Sequence, residues 1–250
     1  MKRLLLVIYL VTAAVGVQAV KQYRDFTDTK GRTIRGRIVA YDAKKKIVTF
    51  ERDNKRTSKV PITVFSETDQ GYVLEWETLK NFATERLFRI SAKQKKIDNE
   101  AKGSKSRSKQ IEVEDTHYEI LLENKSASEL KGLELEYCIY YEQEEGAACS
   151  QGVHCGDLSI DAINPVSKKT LQTEAVSTYT KELNSDWRYV DDDGKPISVD
   201  NVQRGDVHGI WIRIHLKLPS GQKETREFCC PESISNSKAW VSSSIRAGMN

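Results

Sequence analysis

The chain has 250 residues, with 39 Lys and Arg against 36 Asp and Glu. That length suits one or two domains, and no stretch beyond the N-terminus is apolar enough to span a membrane. The near balance of charge hides a split. From Lys21 to Lys109 there are 23 basic residues against 12 acidic, and from Gln110 to Asn250 there are 14 against 24. The split suggests two modules whose opposite charges would attract across a linker.

Met1–Ala19 carries Lys2 and Arg3, an apolar run from Leu4 through Val17, and small residues at Val17-Gln18-Ala19. This is the layout of a secretory signal peptide cut after Ala19, because the apolar run is shorter than a bilayer span needs. No Cys follows the run, so a lipid-anchored form is not expected.

From Tyr23 to Val73 the residues alternate with period two. They predict strands over Thr33–Tyr41, Ile47–Arg52 and Ser58–Val64, separated by turn residues around Gly31, Asp42 to Lys46 and Asp53-Asn54. A core this small needs a curled sheet with a helix over it. The run Arg24-Asp25-Phe26-Thr27-Asp28, then Gly31-Arg32, Val60-Pro61, and Phe65-Ser66-Glu67-Thr68-Asp69-Gln70 with Tyr72 resembles the Sla-one homology domain of the first type. Phe26 stands where that family usually has Trp, and Phe65 where it has Leu. The resemblance covers about a fifth of the chain. It implies a small SH3-like barrel at residues 20–66 that binds short peptides.

Ser66 and Asp69 have the spacing of a capping box. Val73, Trp76, Leu79, Phe82 and Leu87 then form an apolar stripe, which predicts a helix from Glu67 to about Ile90, the segment 67–92. Lys93 to Lys109 is rich in Lys, Ser and Gly and reads as a basic flexible linker. It lacks the interleaved aromatics or docking helix of a nucleic-acid binder, so no nucleic acid is expected as a partner.

Residues 110–232 are strand after strand. Tyr118, Ile120 and Leu122 share one face, as do Leu133, Leu135, Tyr137, Ile139 and Tyr141, and Ile210, Ile212, Ile214, Leu216 and Leu218. Further strands are expected near Leu158–Ala162 and Leu171–Tyr179, and a hairpin from Trp187–Val190 to Ile197–Val199. Together they predict an antiparallel β-sandwich of immunoglobulin or fibronectin type, which makes the chain mainly β. Ser233–Asn250 reads as a loose tail.

Five cysteines in an exported chain invite disulfides. Cys149 and Cys155 bracket a short segment and form the first expected pair. Cys138 would cross to Cys229 or Cys230, leaving one free thiol. Zinc bound by Cys and His154 is the alternative, but paired Cys-x-x-Cys spacing is missing. Asp191-Asp192-Asp193-Gly194 fails as a calcium loop, because Tyr189 and Asp200 would fall at the first and last ligand positions. No cofactor, metal or catalytic constellation is expected. His117, His154, His208 and His215 sit in unrelated contexts, and Asn124-Lys125-Ser126 fits a glycosylation sequon.

Two surfaces stand out for binding. One is the groove or edge of the small barrel. The other is a cationic ridge of Arg213, His215 and Lys217 beneath Trp211. The expected function is therefore an exported, non-enzymatic interaction protein that binds peptide or protein segments at the cell envelope. The alternative is a carbohydrate-binding accessory protein using Trp187 or Trp211 as a sugar platform, with an envelope glycan as its partner.

Overall fold

A computed structural model describes residues 23–98, 100, 102–106, 109–146, 148–183, 189–190, 192–197 and 202–241. The chain divides after Ala83 into two units. The expected signal peptide and Trp187 lie outside the described residues.

In the first unit, strands β1 (Arg24–Thr27), β2 (Thr33–Asp42), β3 (Ile47–Arg52) and β4 (Thr57–Pro61) pair in that order, each antiparallel to the next. A register shift between Ile38 and Ala40 marks a bulge, which bends and twists the strand. Residues on one side of the pleat supply the core: Phe26, Ile38, Val48 and Phe50. A 3-10 turn at Ile62–Val64 adds Ile62, and helix α1 (Glu67–Ala83) lays Val73 and Trp76 on the same cluster. Phe26 and Phe50 meet edge to face at 5.0 Å, with Phe65 against both. The expected barrel is an open sheet. Among the described residues the start of the sheet meets the segment after β4 through one isolated backbone bridge, Asp28 to Phe65, and through the Asp69 side chain.

α1 ends at Ala83, not near Ile90. Leu87 and Ile90 continue the helical spacing in sequence, but Leu87 lies in a turn closed on Thr84. Ile90 lies on strand β5 (Phe88–Asp98), paired along its length with β7 (Lys109–Asn124). The expected linker at 93–109 is thus corrected: Lys93–Asp98 is strand, and Ser104–Lys105 forms a short β6 on the same side of β7. The lysines that suggested a tether meet carboxylates of this sheet, Lys95 with Glu119 at 3.4 Å, Lys96 with Glu114 at 2.8 Å and Lys102 with Asp115 at 3.2 Å. The opposite charges of the two halves of the sequence therefore meet locally, between neighbouring strands.

On the other side of β7, β10 (Ser167–Gln172) and β11 (Val176–Leu183) pair in tandem, and β14 (Val202–Gln203) pairs with β11. The second sheet has the order β16-β15-β8-β9, from β8 (Leu130–Glu145), β9 (Ala148–Ile163), β15 (Gly205–Lys217) and β16 (Lys223–Cys230). Tyr189–Val190 and Pro196–Ile197, β12 and β13, make a small separate hairpin. The two large sheets pack through the faces read from the sequence, burying Tyr118, Ile120, Leu122, Leu133, Leu135, Tyr137, Ile139, Ile210, Ile212, Ile214 and Leu216. Every strand pairing among the described residues is antiparallel, and the fold is mainly β, with a sandwich as its larger unit.

Candidate functional site

Three places bear on function, and each grows from strand alternation. The first is one end of the N-terminal sheet. Gly36 of β2 lies opposite Arg52 of β3, Asp53 donates its backbone N–H to the Arg35 carbonyl, and Lys55 and Arg56 close the β3–β4 turn. Arg35, Arg37, Arg52, Lys55 and Arg56 are thereby gathered in one region. Tyr23 lies across it, with the Arg37 guanidinium 5.3 Å and the Lys55 ammonium 4.8 Å from its ring centre. The Tyr23 hydroxyl donates to Glu51, which also faces Arg37 at 3.1 Å. These two hydrogen bonds, the tyrosine's first, hold the Glu51 carboxyl below its ordinary range. Arg52 and Arg56 are exposed and meet no carboxylate among the described residues.

The second is a cleft of about 780 Å³ in the sandwich. Toward Asn124 the inner face of β7 is Tyr118, Ile120 and Leu122; toward Lys109 the same face becomes Thr116, Glu114, Glu112 and Gln110. β5 follows suit, passing from Phe88, Ile90 and Ala92 to Gln94, Lys96 and Asp98. Polar side chains cannot seal a dry interface without full pairing, so the polar end of the sandwich stands open. Lys96, Asp98, Glu112, Glu114, Thr178 and Tyr179 are among the lining residues. Gln143 of β8 spans the sheets beside it, donating to the Tyr179 carbonyl at 3.0 Å and accepting from the Tyr179 N–H at 3.0 Å. The sequence signal was the switch at the inward positions of β7, where alternation persists but its apolar half turns acidic.

The third is the outer face of the second sheet, which carries the expected ridge. Arg213, His215 and Lys217 do line one face of β15, but this face is a charge ladder. Arg213 pairs with Glu227 at 2.8 Å, His215 lies 3.9 Å from Glu136 and 2.8 Å from the Thr225 hydroxyl, and Lys217 pairs with Glu134. Lys217 keeps the Glu134 carboxyl below its ordinary range. The partners come from β8 and β16, which the sequence could not place beside β15. Trp211 is only 8% exposed, its indole N–H donating to Glu227 at 3.2 Å and its ring edge-on to Trp240 at 5.8 Å. It is no open sugar platform.

The cysteines also differ from expectation. The disulfide joins Cys138 to Cys155, which lie opposite each other on β8 and β9. Cys149 and Cys155 lie on a single extended strand, six residues apart, which puts their Cα atoms roughly 20 Å from each other and beyond any disulfide. Cys138 cannot reach Cys229, because Trp211 stands between them on β15. Cys149, Cys229 and Cys230 are free, three thiols where one was expected. Burial, then Glu227, pushes the Cys229 thiol above its ordinary value.

His154, His208 and His215 each face a different glutamate, Glu174, Glu142 and Glu136. Among the described residues no three His, Cys, Asp or Glu side chains come together to hold a metal. Asn124, the expected glycan acceptor, is 1% exposed, and its amide donates to the carbonyls of Ser128, Ile163 and Asn164. No helix among the described residues is long and apolar enough to cross a membrane.

No family model matches the chain, and no curated protein matches it. Solved structures similar to part of it include the Northeast Structural Genomics Consortium target SoR45, at 11% identity and TM-score 0.27 over 59% of this chain and 88% of that one. A β-glucosidase involved in saponin metabolism from intestinal bacteria is similar at 14% identity and TM-score 0.21, over 56% of this chain and 16% of that one. The sporulation control protein Spo0M of Bacillus subtilis is similar at 12% identity and TM-score 0.18, over 56% of this chain and 48% of its own.

Proposed function

We propose that this is an exported, non-enzymatic interaction protein whose N-terminal unit binds acidic peptide or protein segments at the cell envelope. The observation that carries the reading is the basic end of the N-terminal sheet, where Arg52 and Arg56 stand exposed without carboxylate partners among the described residues, beside a tyrosine flanked by Arg37 and Lys55. Arginine at such a site suits carboxylates, because its planar fork donates to both oxygens at once. The resemblance of residues 23–73 to the Sla-one homology domain supports peptide as the ligand class. Export is supported by the leader-like Met1–Ala19 and by the disulfide, which persists in oxidising compartments.

Fluorescence anisotropy with a labelled Asp- and Glu-rich peptide tests the reading on the full mature chain. Binding should weaken as salt rises, because exposed charges are screened. Arg52→Glu with Arg56→Glu should weaken it roughly tenfold, the sum of several rim charges. Binding that ignores both, or a blank, would overturn the reading. A second reading, carbohydrate binding by the sandwich, is favoured by the polar cleft between the sheets and no longer by Trp211.

A further inference from the structure

The disulfide lies on the solvent side of the second sheet, away from the sandwich interior, yet Cys138 is 0% exposed. Its cover comes from the end of the described chain. After β16 the backbone turns through Pro231 into a one-turn helix α2 (Ile234–Ser237), leaves it extended at Lys238, and continues to Val241 over the outer face. Ile234 joins Cys138, Tyr140 and Trp211 in a small apolar cluster, with Val153, Cys155, Cys229, Trp240 and Val241 packed around it.

Polar contacts fix this strap in place. The Tyr140 hydroxyl donates to the Ala239 carbonyl at 2.8 Å, and the Lys238 ammonium to the Gln151 side-chain carbonyl at 2.9 Å. The Arg213 guanidinium sits 4.3 Å from the Trp240 ring centre. The Val241 carbonyl lies 3.8 Å from Cys138 Sγ.

We propose that residues 231–241 are a strap that gates the Cys138–Cys155 disulfide, so that the bond is reducible only when the strap lifts. A thiolate reductant attacks one sulfur in line with the S–S bond and expels the other as a thiolate. Attack at Cys138 is blocked by the strap. Cys155 is only partly buried, but attack there expels a thiolate at Cys138 into an apolar pocket that faces a carbonyl oxygen. A desolvated anion in that position is strongly disfavoured, so this route also waits for opening. With dithiothreitol the balance closes simply. Its two thiols become a cyclic disulfide, and Cys138 and Cys155 each gain a hydrogen as free thiols.

The rate of reduction then reports strap opening. Denatured without reductant, the full-length protein should show three thiols, and native protein treated with dithiothreitol, then quenched and denatured, should gain two more slowly. Tyr140→Phe removes one hydrogen bond to the strap and should speed that release about fivefold. Trp240→Ala removes its largest apolar anchor and should speed it on the order of 30-fold or more. Lys169→Ala, at an ion pair with Asp161 elsewhere on β9, should leave the rate unchanged. Circular dichroism confirms that each variant is folded. Equal release rates for wild type, Tyr140→Phe and Trp240→Ala would overturn the proposal, as would acceleration by Lys169→Ala to the same degree.

Discussion

Two side chains carry more structure than their neighbours, and both are polar. Asp69 is 3% exposed and accepts hydrogen bonds from the Thr27 N–H at 2.7 Å, Arg24 at 2.9 Å and the Ser66 hydroxyl at 3.1 Å. The sequence marked it as the partner of Ser66 in a capping box. Its larger task, tying α1 to β1, depends on a strand that alternation did not reveal. Asn124 is the counterpart in the sandwich, where it donates to three carbonyls and accepts from the N–H and hydroxyl of Ser126. Asn124→Ala takes a donor from each of those carbonyls, although Ser128 and Asn164 keep a serine hydroxyl, and strips the Ser126 N–H of its acceptor. It should cost about 3 kcal/mol and lower Tm by roughly 10 °C in a thermal melt. Asn124→Asp should not restore the loss, since a carboxylate has no N–H to give. A melt within a degree or two of wild type for either variant would contradict this role.

At the scale of elements, alternation was a good guide wherever one face is apolar. β3 matches its expected limits, and β8, β15 and β16 follow the patterns that announced them. It misled where composition spoke louder than period. KQKKID in β5 looks like a tether because its lysines mask the inward sequence Phe88, Ile90, Ala92 and Gln94. Lysines on an edge strand discourage pairing with another sheet. The edge is also covered, since Arg226 donates to the Phe88 carbonyl at 2.7 Å and the Cys230 thiol faces the Ala92 carbonyl at 3.8 Å. Limited trypsin digestion separates strand from tether. Cleavage after Lys93, Lys95 and Lys96 should be absent under native conditions, because a protease needs an extended backbone free of its ladder. Early cuts at these three lysines would restore the linker. The disulfide was illegible for a related reason: a pairing between strands depends on register, and the Cys149 segment reads equally as loop or strand.

For the molecule as a whole, moving the boundary to Ala83 changes the meaning of its charge. The first unit has 16 Lys and Arg against 9 Asp and Glu, and the second has 23 against 27. The sequence-level contrast shrinks, and what remains of it is a basic end on the N-terminal sheet and a polar, partly acidic cleft in the sandwich. These are the two places proposed above for a ligand. The proposed binding site is probed head-on by a backbone-amide NMR titration of isotope-labelled full-length protein, first with the acidic peptide and then with envelope-type oligosaccharides. Acidic-peptide binding by the N-terminal unit should give shifts confined to residues around Arg35, Arg37 and Arg52 to Arg56. Shifts that instead track Lys96, Glu112, Glu114 and Tyr179, with either ligand, would move the binding function to the sandwich and contradict it.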